Sequence, residues 1–290
     1  MSFANNVKHE LCKIEIEDVV VARGILAGII FFGGQSQNKN EIIVTTENAQ
    51  VSKLCWQLAK EILGESPECN IKARGKAHIY AITLKNCEEF AKEIGFAGFA
   101  RKISPQFLDN SEIRIAFLRG AFLASGYMSN PEKSYHMEIL TRYSALQRNF
   151  AKLLEDMGLR ARVIRRNGMF VFYFKGSQEI TDFLTLIGAM SAMLEFTNIK
   201  IMKELKGNVN RIVNCETANV EKMVRAAQAQ IKAITEYGID NLPSNLQAAA
   251  RMRVDNPECS LKEIGEMLEP QLSKSGVNHV MRKIMGIANG

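Results

Sequence analysis

The first two-thirds of the chain repeats itself, and this internal repeat restricts the fold more than any other feature of the sequence. Each copy begins with an apolar, helix-like run rich in small residues, at Leu26–Gly34 and again at Phe117–Gly126. The closing glycines of the two runs are 92 positions apart. Two later landmarks keep nearly the same spacing: Gly64 with Gly158 (94) and Gly75 with Gly168 (93). The sequence therefore predicts two similarly folded halves.

Each repeat reads as helix, strand, helix, strand, strand, helix. Asn167-Gly168 precedes an aromatic and β-branched run, and an Asn-Gly pair supplies the positive φ angles of a tight hairpin. The order predicts an α+β pseudo-dimer of about 190 residues. In the first repeat the pattern places a strand at Glu41–Thr46, a hairpin turn at Arg74-Gly75-Lys76 and a helix at Cys87–Ile94; in the second it places a strand at Tyr135–Thr141 and a helix at Ser177–Ile187.

Small residues recur at a spacing of four within both apolar runs. Gly24 and Gly28 share one helix face in the first run, as do Gly120 and Ala124 in the second. Glycine inside a helix costs stability relative to alanine, so its presence requires a structural reason. We expect the two helices to meet along these faces with their backbones in close contact.

The two runs resemble the LAGLIDADG motif of homing endonucleases, whose first five positions Leu26-Ala27-Gly28-Ile29-Ile30 follow closely. The resemblance implies a saddle that straddles DNA, with a penultimate acidic residue in each motif to hold a catalytic divalent metal. Here those positions are Gly33 and Ser125, neither of which offers a carboxylate. We therefore expect a scaffold without catalytic residues, metal or cofactor, and a metal-dependent nuclease is the weakest alternative.

The C-terminal third reads as helices separated by helix-breaking pairs. An alanine-rich helix at Glu216–Tyr237 precedes three shorter helices. Ser244 with Gln247, and Ser260 with Glu263, form capping-box patterns. Asn256-Pro257 and Glu269-Pro270 end the first two of these helices, and Ser273-Lys274-Ser275-Gly276 opens the third. Two helices joined by a short turn are typical of a helix-turn-helix unit.

The last helix carries the candidate DNA-binding residues. Val277, Met281 and Ile284 recur at core spacing, whereas a second face centred on Asn278 carries hydrogen-bonding and cationic side chains. No acidic residue follows Gln271. The alternative interpretation is the solvated basic face of a small helical bundle. The candidates are Lys274, Ser275, Gly276, Asn278, His279, Arg282 and Lys283.

A second basic segment lies in the second repeat, where the interval from Leu159 to Lys175 lacks acidic residues. Two interpretations suit this segment equally well. The sheet could make secondary phosphate contacts through it, or it could be an edge hairpin that its charge keeps soluble. Its candidate residues are Arg160, Arg162, Arg165 and Arg166.

Bulk properties restrict the partners. The formal net charge is +6, which suits a polyanion. None of the six cysteines forms a C-x-x-C pair, so no zinc site is expected. The N-terminus lacks the apolar run of a signal peptide, and no segment is long enough to span a bilayer. We expect a cytoplasmic, nucleoid-associated protein without a membrane partner.

Three further segments are similar to the WhiA family of regulators from Gram-positive bacteria: Asn214–Asn219, Ser273–His279 and Pro131–His136. With the altered LAGLIDADG helices, the similarity covers essentially the whole chain. It implies a transcription regulator connected with cell division and chromosome segregation, and with sporulation in some hosts. One position departs from the family pattern, because Val280 stands where a basic residue follows the histidine.

The resulting prediction is an α+β, duplicated LAGLIDADG-like domain followed by an all-α helix-turn-helix domain. Its ranges are 1–206 (repeats at about 1–100 and 108–190), a helical linker at 207–241 and the helix-turn-helix at 242–290. The function predicted is sequence-specific binding of double-stranded DNA, with another transcription regulator or RNA polymerase components as candidate protein partners. An interaction scaffold for division proteins, with secondary DNA binding, is the main alternative.

Overall fold

The structure, a computed structural model, describes residues 2–75, 77–96 and 101–289. Lys76, which the sequence places in a hairpin turn, lies outside the described residues. The chain forms two compact units, Met1–Lys203 and Glu204–Gly290. None of the described helices combines the length and apolar character needed to cross a membrane.

The first repeat consists of three helices and a four-stranded antiparallel sheet, and one further helix precedes the repeat. The strand order in this sheet is β1-β2-β4-β3. The elements are α1 (Phe3–Leu11), α2 (Val19–Gly33), β1 (Gly34–Asn38), β2 (Glu41–Thr46), α3 (Ala49–Leu63), β3 (Glu68–Arg74), β4 (Ala77–Leu84) and α4 (Glu88–Ile94).

The second repeat has the same topology, with the strand order β5-β6-β8-β7. The duplication predicted from the sequence is confirmed. The elements are α5 (Ser111–Ser125), β5 (Gly126–Met128), β6 (Met137–Thr141), α6 (Ser144–Asp156), β7 (Arg162–Arg166), β8 (Met169–Phe174) and α7 (Ser177–Ile187).

One strand in each repeat was missed by the sequence prediction. Helices α2 and α5 run directly into β1 and β5, and the glycine at each junction, Gly34 or Gly126, is extended with ψ of 154° or 138°. Four of the five residues of β1 are exposed, and β5 has three residues. A polar edge strand and a three-residue strand carry no alternation of apolar and polar side chains, so neither gives a strand signal.

The close helix contact predicted from the small residues is confirmed for α2 and α5. A Cβ atom at Gly28 would lie 2.3 Å from the carbonyl oxygen of Phe117, and one at Gly120 would lie 2.1 Å from that of Ile25. At Gly24 the nearest atom would be the Cβ of Ala116, at 2.6 Å. Any side chain at these positions would overlap the opposite helix.

Aromatic side chains fill the core around this contact. Phe31 of α2 lies 5.6 Å from Phe117 of α5, measured between ring centroids. Phe32 and Phe172 both contact Phe150 in edge-to-face geometry, at 4.7 and 4.9 Å between ring centroids. This chain of rings connects α2 to α6 and to strand β8 of the second repeat, so both repeats share one core.

The C-terminal unit contains most of one 48-residue helix, α8 (Met190–Tyr237), followed by α9 (Ser244–Asp255), α10 (Leu261–Met267) and α11 (Lys274–Ala288). The sequence prediction began this helix at Glu216. The structure shows no break at that position, and the helix begins 26 residues earlier, at Met190. Ile234 near its end is fully buried in the core of the unit, with Leu246, Ile264 and Val277.

The two predicted capping boxes have different outcomes. Ser260 and Glu263 form one, because each side chain accepts a hydrogen bond from the other residue's amide. Ser244 does not cap α9, which begins at Ser244 itself after Pro243. Gln247 instead donates through Nε2 to the carbonyl oxygen of Leu242, at 2.9 Å. Proline has a φ suited to a helix entrance, which explains the earlier start.

Gly265 fixes the turn between α10 and α11. The amide of Leu272 donates to the carbonyl oxygen of Gly265 at 3.0 Å, and a Cβ at Gly265 would lie 2.1 Å from the Leu272 carbonyl oxygen. The turn segment therefore packs directly on the backbone of α10. This contact sets the position of α11 on its neighbour.

Replacement of Gly28 tests the α2–α5 contact. We expect Gly28→Ala to lower the free energy of unfolding of the N-terminal unit by about 2–4 kcal/mol, because the new methyl group meets backbone atoms that cannot rotate away. Gly33→Ala in the same helix is the control, since its nearest neighbour would be the Ala124 Cβ at 3.4 Å, and its effect should stay within about 1 kcal/mol. The measurement is denaturant unfolding followed by the fluorescence of Trp56, the one tryptophan. Equal stability of both variants would contradict the proposed reason for Gly28.

Candidate nucleic-acid interface

Helix α11 begins with a capped first turn. The hydroxyl of Ser273 accepts a hydrogen bond from the amide of Gly276 at 3.2 Å, and its oxygen lies 2.9 Å from the Ser275 hydroxyl. The sequence predicts that Ser273–Gly276 opens this helix, and the helix does begin there, with Ser273 as its N-cap. The cap uses the amide of Gly276, one of the candidate DNA-binding residues. A phosphate at this terminus would have to use other donors of the first turn.

The two faces of α11 separate as the sequence predicts. Val277, Met281 and Ile284 are buried in the core of the unit. Ser275, His279, Arg282 and Lys283 are exposed on the opposite side. Gly286 continues this exposed side without a side chain, so it leaves room beside the helix.

The sequence prediction placed Asn278 at the middle of the exposed face, and this is wrong. It is half-buried at the edge next to the core, and His279 is the residue at the centre between Ser275 and Arg282. The reason is geometric. Asn278 follows Val277 by one residue and precedes Met281 by three, so it is rotated toward the core face. The structure thus moves the centre of the face by one residue.

Lys274 lines a cleft on another side of the unit, bordered by α8 and by Ser260. It is exposed, but it does not share the surface that His279 and Arg282 form. The seven candidate residues therefore fall into four groups: an exposed group of four (Ser275, His279, Arg282 and Lys283), Asn278 at the edge, Gly276 in the cap, and Lys274 beside the cleft. Sequence spacing alone could not separate these surroundings, because they depend on the packing of α8.

The basic hairpin of the second repeat is partly neutralised. Arg166 donates to both carboxylate oxygens of Glu138, at 3.1 and 2.6 Å, and His136 lies 2.6 Å from the same carboxylate. Arg165 lies over the ring of Phe170, at 5.7 Å from its centroid. Arg160 and Arg162 are exposed, and no ion pair is formed by either with the residues that the structure describes. The acidic partner of Arg166 is 28 positions away in sequence, so inspection of the hairpin alone missed it.

Glu138 has 6% of its surface exposed, and burial raises the pKa of its carboxyl. Hydrogen bonds from Arg166 and His136, with their charges, outweigh that burial and bring the net pKa below its ordinary value. The carboxylate is therefore ionised at neutral pH, and its charge offsets that of Arg166.

The two positions that correspond to the metal-binding acids have other surroundings. The Ser125 hydroxyl donates to the Ala121 carbonyl oxygen and accepts from the Leu140 amide, both at 3.4 Å. Near Gly33, the guanidinium of Arg101 donates to the carbonyl oxygens of Phe31 and Gly34, at 3.1 and 2.7 Å. Among the described residues, no group of three or more histidine, cysteine or acidic side chains could hold a metal ion.

Arg101 was not singled out from the sequence. Its side chain is buried, its guanidinium lies 3.6 Å from the ring centroid of Tyr143 and 4.7 Å from that of Phe96, and burial lowers its pKa to about 10. It still carries a positive charge at neutral pH, beside the C-terminal carbonyls of α2. That charge disfavours a divalent cation at this end of the helix.

The fold and its surfaces define a duplicated LAGLIDADG-like scaffold joined to a helix-turn-helix unit. Residues 114–206 match the WhiA LAGLIDADG-like domain, and residues 209–288 match the WhiA C-terminal HTH domain. The chain belongs to the WhiA family.

Similar proteins cover nearly the full length. The chain is 40% identical to the "Probable cell division protein WhiA" of Ruminiclostridium cellulolyticum, over 99% of this chain and 97% of the relative. It is 38% identical to the protein of the same name from Clostridium tetani, with the same coverage. The crystal structure of full-length DUF199/WhiA from Thermotoga maritima superposes with a TM-score of 0.65 at 28% identity, over 100% of this chain and 98% of that one.

Replacement of Glu138 tests the neutralised hairpin. We expect Glu138→Gln to reduce the free energy of unfolding at pH 7 by about 1–2 kcal/mol, because charged hydrogen bonds to a half-exposed arginine are lost. Since the folded-state pKa is lowered, this stabilisation is present above the ordinary carboxyl pKa and disappears as the pH falls through the folded-state value. The difference between variant and parent should therefore shrink below about pH 4.

The measurement is denaturant unfolding of the N-terminal unit at several pH values, followed by Trp56 fluorescence. Glu155→Gln, at an exposed position of α6, is the control and should change stability little at any pH. A Glu138→Gln difference that stays constant from pH 7 to pH 3 would show that the carboxylate charge contributes nothing.

Proposed function

We propose that this chain is a sequence-specific double-stranded-DNA-binding transcription regulator that reads DNA through α11. The observation that carries the proposal is the exposed face of α11, where Ser275, His279 and Arg282 lie opposite the buried Val277–Ile284 side. A helix of this kind fits the major groove, where base edges present donors and acceptors. The membership in a family with a helix-turn-helix domain supports the same conclusion.

Residues on α11 are assigned separate roles by their positions. His279 and Arg282 at the centre of the face are proposed to contact base edges, as arginine does most often at guanine. Lys283 lies to one side of that face and is proposed to contact phosphate. The acids of the neighbouring α10 leave the charge of α11 largely uncompensated, because Glu263 caps its own helix and Glu266 lies 3.7 Å from Lys262.

The hairpin of the second repeat is proposed as a weaker, secondary phosphate contact. Arg160 and Arg162 are its contributing residues, since Arg166 is held by Glu138 and Arg165 lies on Phe170. Phosphate contacts of this kind add affinity without sequence preference. The N-terminal unit would then add affinity for DNA without contributing to sequence specificity.

The cellular role we propose is regulation of genes for cell division and chromosome segregation, and of sporulation in hosts that sporulate. Relatives at 38–40% identity carry the name probable cell division protein WhiA. The protein would act in the cytoplasm at the nucleoid. Its protein partners would be another transcription regulator or components of RNA polymerase.

A second candidate function is an interaction scaffold for division proteins, with DNA binding secondary. One observation favours it. The middle of α8 exposes large apolar side chains, which in a soluble protein often mark a protein-binding surface. These residues are Leu205, Val209, Ile212, Val213, Val220 and Val224.

We further propose that the LAGLIDADG-like scaffold has no nuclease activity, because Gly33 and Ser125 supply no carboxylate and Arg101 adds positive charge beside one of these positions. Plasmid DNA carrying bound sites should stay uncut with Mg²⁺ or Mn²⁺ at any protein concentration. The informative control is a Gly28→Ala preparation, in which the scaffold is perturbed. Metal-dependent cutting that persists through repurification and is lost in that variant would overturn this part of the proposal.

Substitutions on α11 test the reading helix. We expect Arg282→Ala and His279→Ala each to cost roughly 1–3 kcal/mol on the preferred site and to reduce the preference at one or two base pairs. Lys283→Ala should weaken all sequences about equally and lower the log–log salt slope by roughly 0.9. Asn278→Ala should have the smaller effect on base preference, because Asn278 lies at the edge of the face. All four variants should fold normally.

The measurement is binding to a panel of single-base variants across a salt series, beside a genome-wide occupancy map of the parent and of Arg282→Ala. Lys232→Ala, on an exposed position of α8, is the control and should bind as the parent does. Discrete promoter sites that disappear in Arg282→Ala support the regulator. An occupancy map without enrichment, for a parent that still retains division-protein partners, favours the scaffold.

A further inference from the structure

A cleft of about 560 Å³ lies within the C-terminal unit, between the second half of α8 and the start of the helix-turn-helix. Its size falls within the range of sites for small organic ligands. Its lining combines apolar side chains with polar and cationic ones. The lining residues from α8 are Asn219, Val220, Lys222, Met223, Ala226, Ala227 and Gln230; the others are Arg253, Ser260, Leu261 and Lys274.

The charge of this cleft has one sign. Lys222, Arg253 and Lys274 line it, and none of its described lining residues is acidic. Among the ion pairs formed by the described part of the chain, none involves these three side chains. Three cations around a small volume repel one another, and an anion between them would remove that repulsion.

Arg253 is the strongest indication of an anion. Only 1% of its surface is exposed, and its Nη1 donates to the carbonyl oxygens of Asn256, Pro257 and Cys259, at 3.4, 3.4 and 2.8 Å. These carbonyls hold the guanidinium in place but carry no net charge, and burial lowers the pKa of Arg253. A buried charge without a counter-charge is costly, so such groups are normally paired.

Two buried polar atoms of the lining residues also lack a partner. Nε of Arg253 and Oε1 of Gln230 have no hydrogen bond in the structure. Buried polar groups are satisfied in nearly all native proteins, by protein atoms, ordered water or a ligand. An unsatisfied donor and an unsatisfied acceptor among the lining residues of one cleft mark it as incomplete by itself.

We propose that this cleft binds a small amphipathic organic anion, with its acidic group between Lys222, Arg253 and Lys274 and its apolar part against α8. Val220, Met223 and Ala226 supply the apolar surface, and Leu261 closes the other side. An inorganic anion would leave that apolar surface exposed, and a neutral apolar molecule would leave the cations unpaired. An acidic group on a hydrocarbon or aromatic body satisfies both.

The position of the cleft gives the ligand a way to affect DNA binding. Lys274 is the first residue of α11, so an anion there engages the helix that we propose reads DNA. This consequence rests on the proposed function, whereas binding of the anion does not. The binding experiment therefore uses the full chain without DNA, so a failure of DNA binding would leave its outcome unchanged.

The test is a fluorescence titration with 8-anilinonaphthalene-1-sulfonate, an aromatic sulfonate. Decanoate, decanol and inorganic phosphate serve as competitors. We expect one saturable site on the parent chain, from which decanoate displaces the probe at least ten times more effectively than decanol or phosphate. Equal displacement by phosphate would indicate an ordinary phosphate site, such as one for the DNA backbone, and would overturn the amphipathic ligand. Equal displacement by decanol would overturn the role of the cations.

Variants locate the site. Ala226→Glu places a carboxylate in the cleft as an internal substitute for the ligand, and should weaken probe binding at least tenfold. Ala229→Glu is the matched control, since Ala229 is exposed on the same helix but does not line the cleft, and it should change binding less than twofold. Lys222→Ala and Lys274→Ala, which alter exposed side chains, should each weaken binding several-fold and provide a second readout that does not depend on Ala226→Glu. Unchanged binding by Ala226→Glu, or by both lysine variants, would overturn the proposal.

Discussion

The direct contact between the backbones of α2 and α5 is the constraint on which the N-terminal unit depends. At Gly28 and Gly120 the opposite helix occupies the space where a side chain would begin. Because the helices cross this closely, the rings of Phe31 and Phe117 meet on one side and both sheets receive apolar side chains from a shared core. Dispersion contacts of such a core are lost steeply with separation, so a small displacement of the helices would weaken the whole unit.

This constraint explains how the scaffold persists without the acidic positions of the motif. The helix contact uses Gly24, Gly28, Gly120 and the neighbouring backbone, none of which contributes to metal chemistry. At the helix ends, the Ser125 hydroxyl and the Arg101 guanidinium satisfy local backbone groups. Residues that hold the helices together and residues that would hold a metal are therefore different, and the second set can change while the first remains.

How far the sequence predicts the molecule depends on the range of the interaction. Patterns within one helix predicted the core face of α11 and the cap at Ser260, and the spacing of the glycines predicted the repeats and the contact of α2 with α5. Other long-range contacts were missed, because the ion pair of Arg166 with Glu138 spans 28 positions and the cleft beside Lys274 requires α8 to pack on the helix-turn-helix. The edge strand β1 was missed because its exposed polar residues carry no period.

Two buried arginines show that a guanidinium can be accommodated in different ways. Arg101 donates to two carbonyl oxygens at a helix C-terminus, where the dipole is negative, and two aromatic rings lie against its charge. Arg253 donates to three carbonyl oxygens of a turn, but the described residues place no ring or carboxylate against it, and two lysines share its cleft. Nε of Arg101 is unpaired, as is that of Arg253, but two aromatic rings and the negative helix end offset the charge of Arg101 without a ligand. Among the described residues no such group lies against Arg253, so an anion would supply the missing counter-charge, which is the physical reason to assign binding to the cleft of the C-terminal unit.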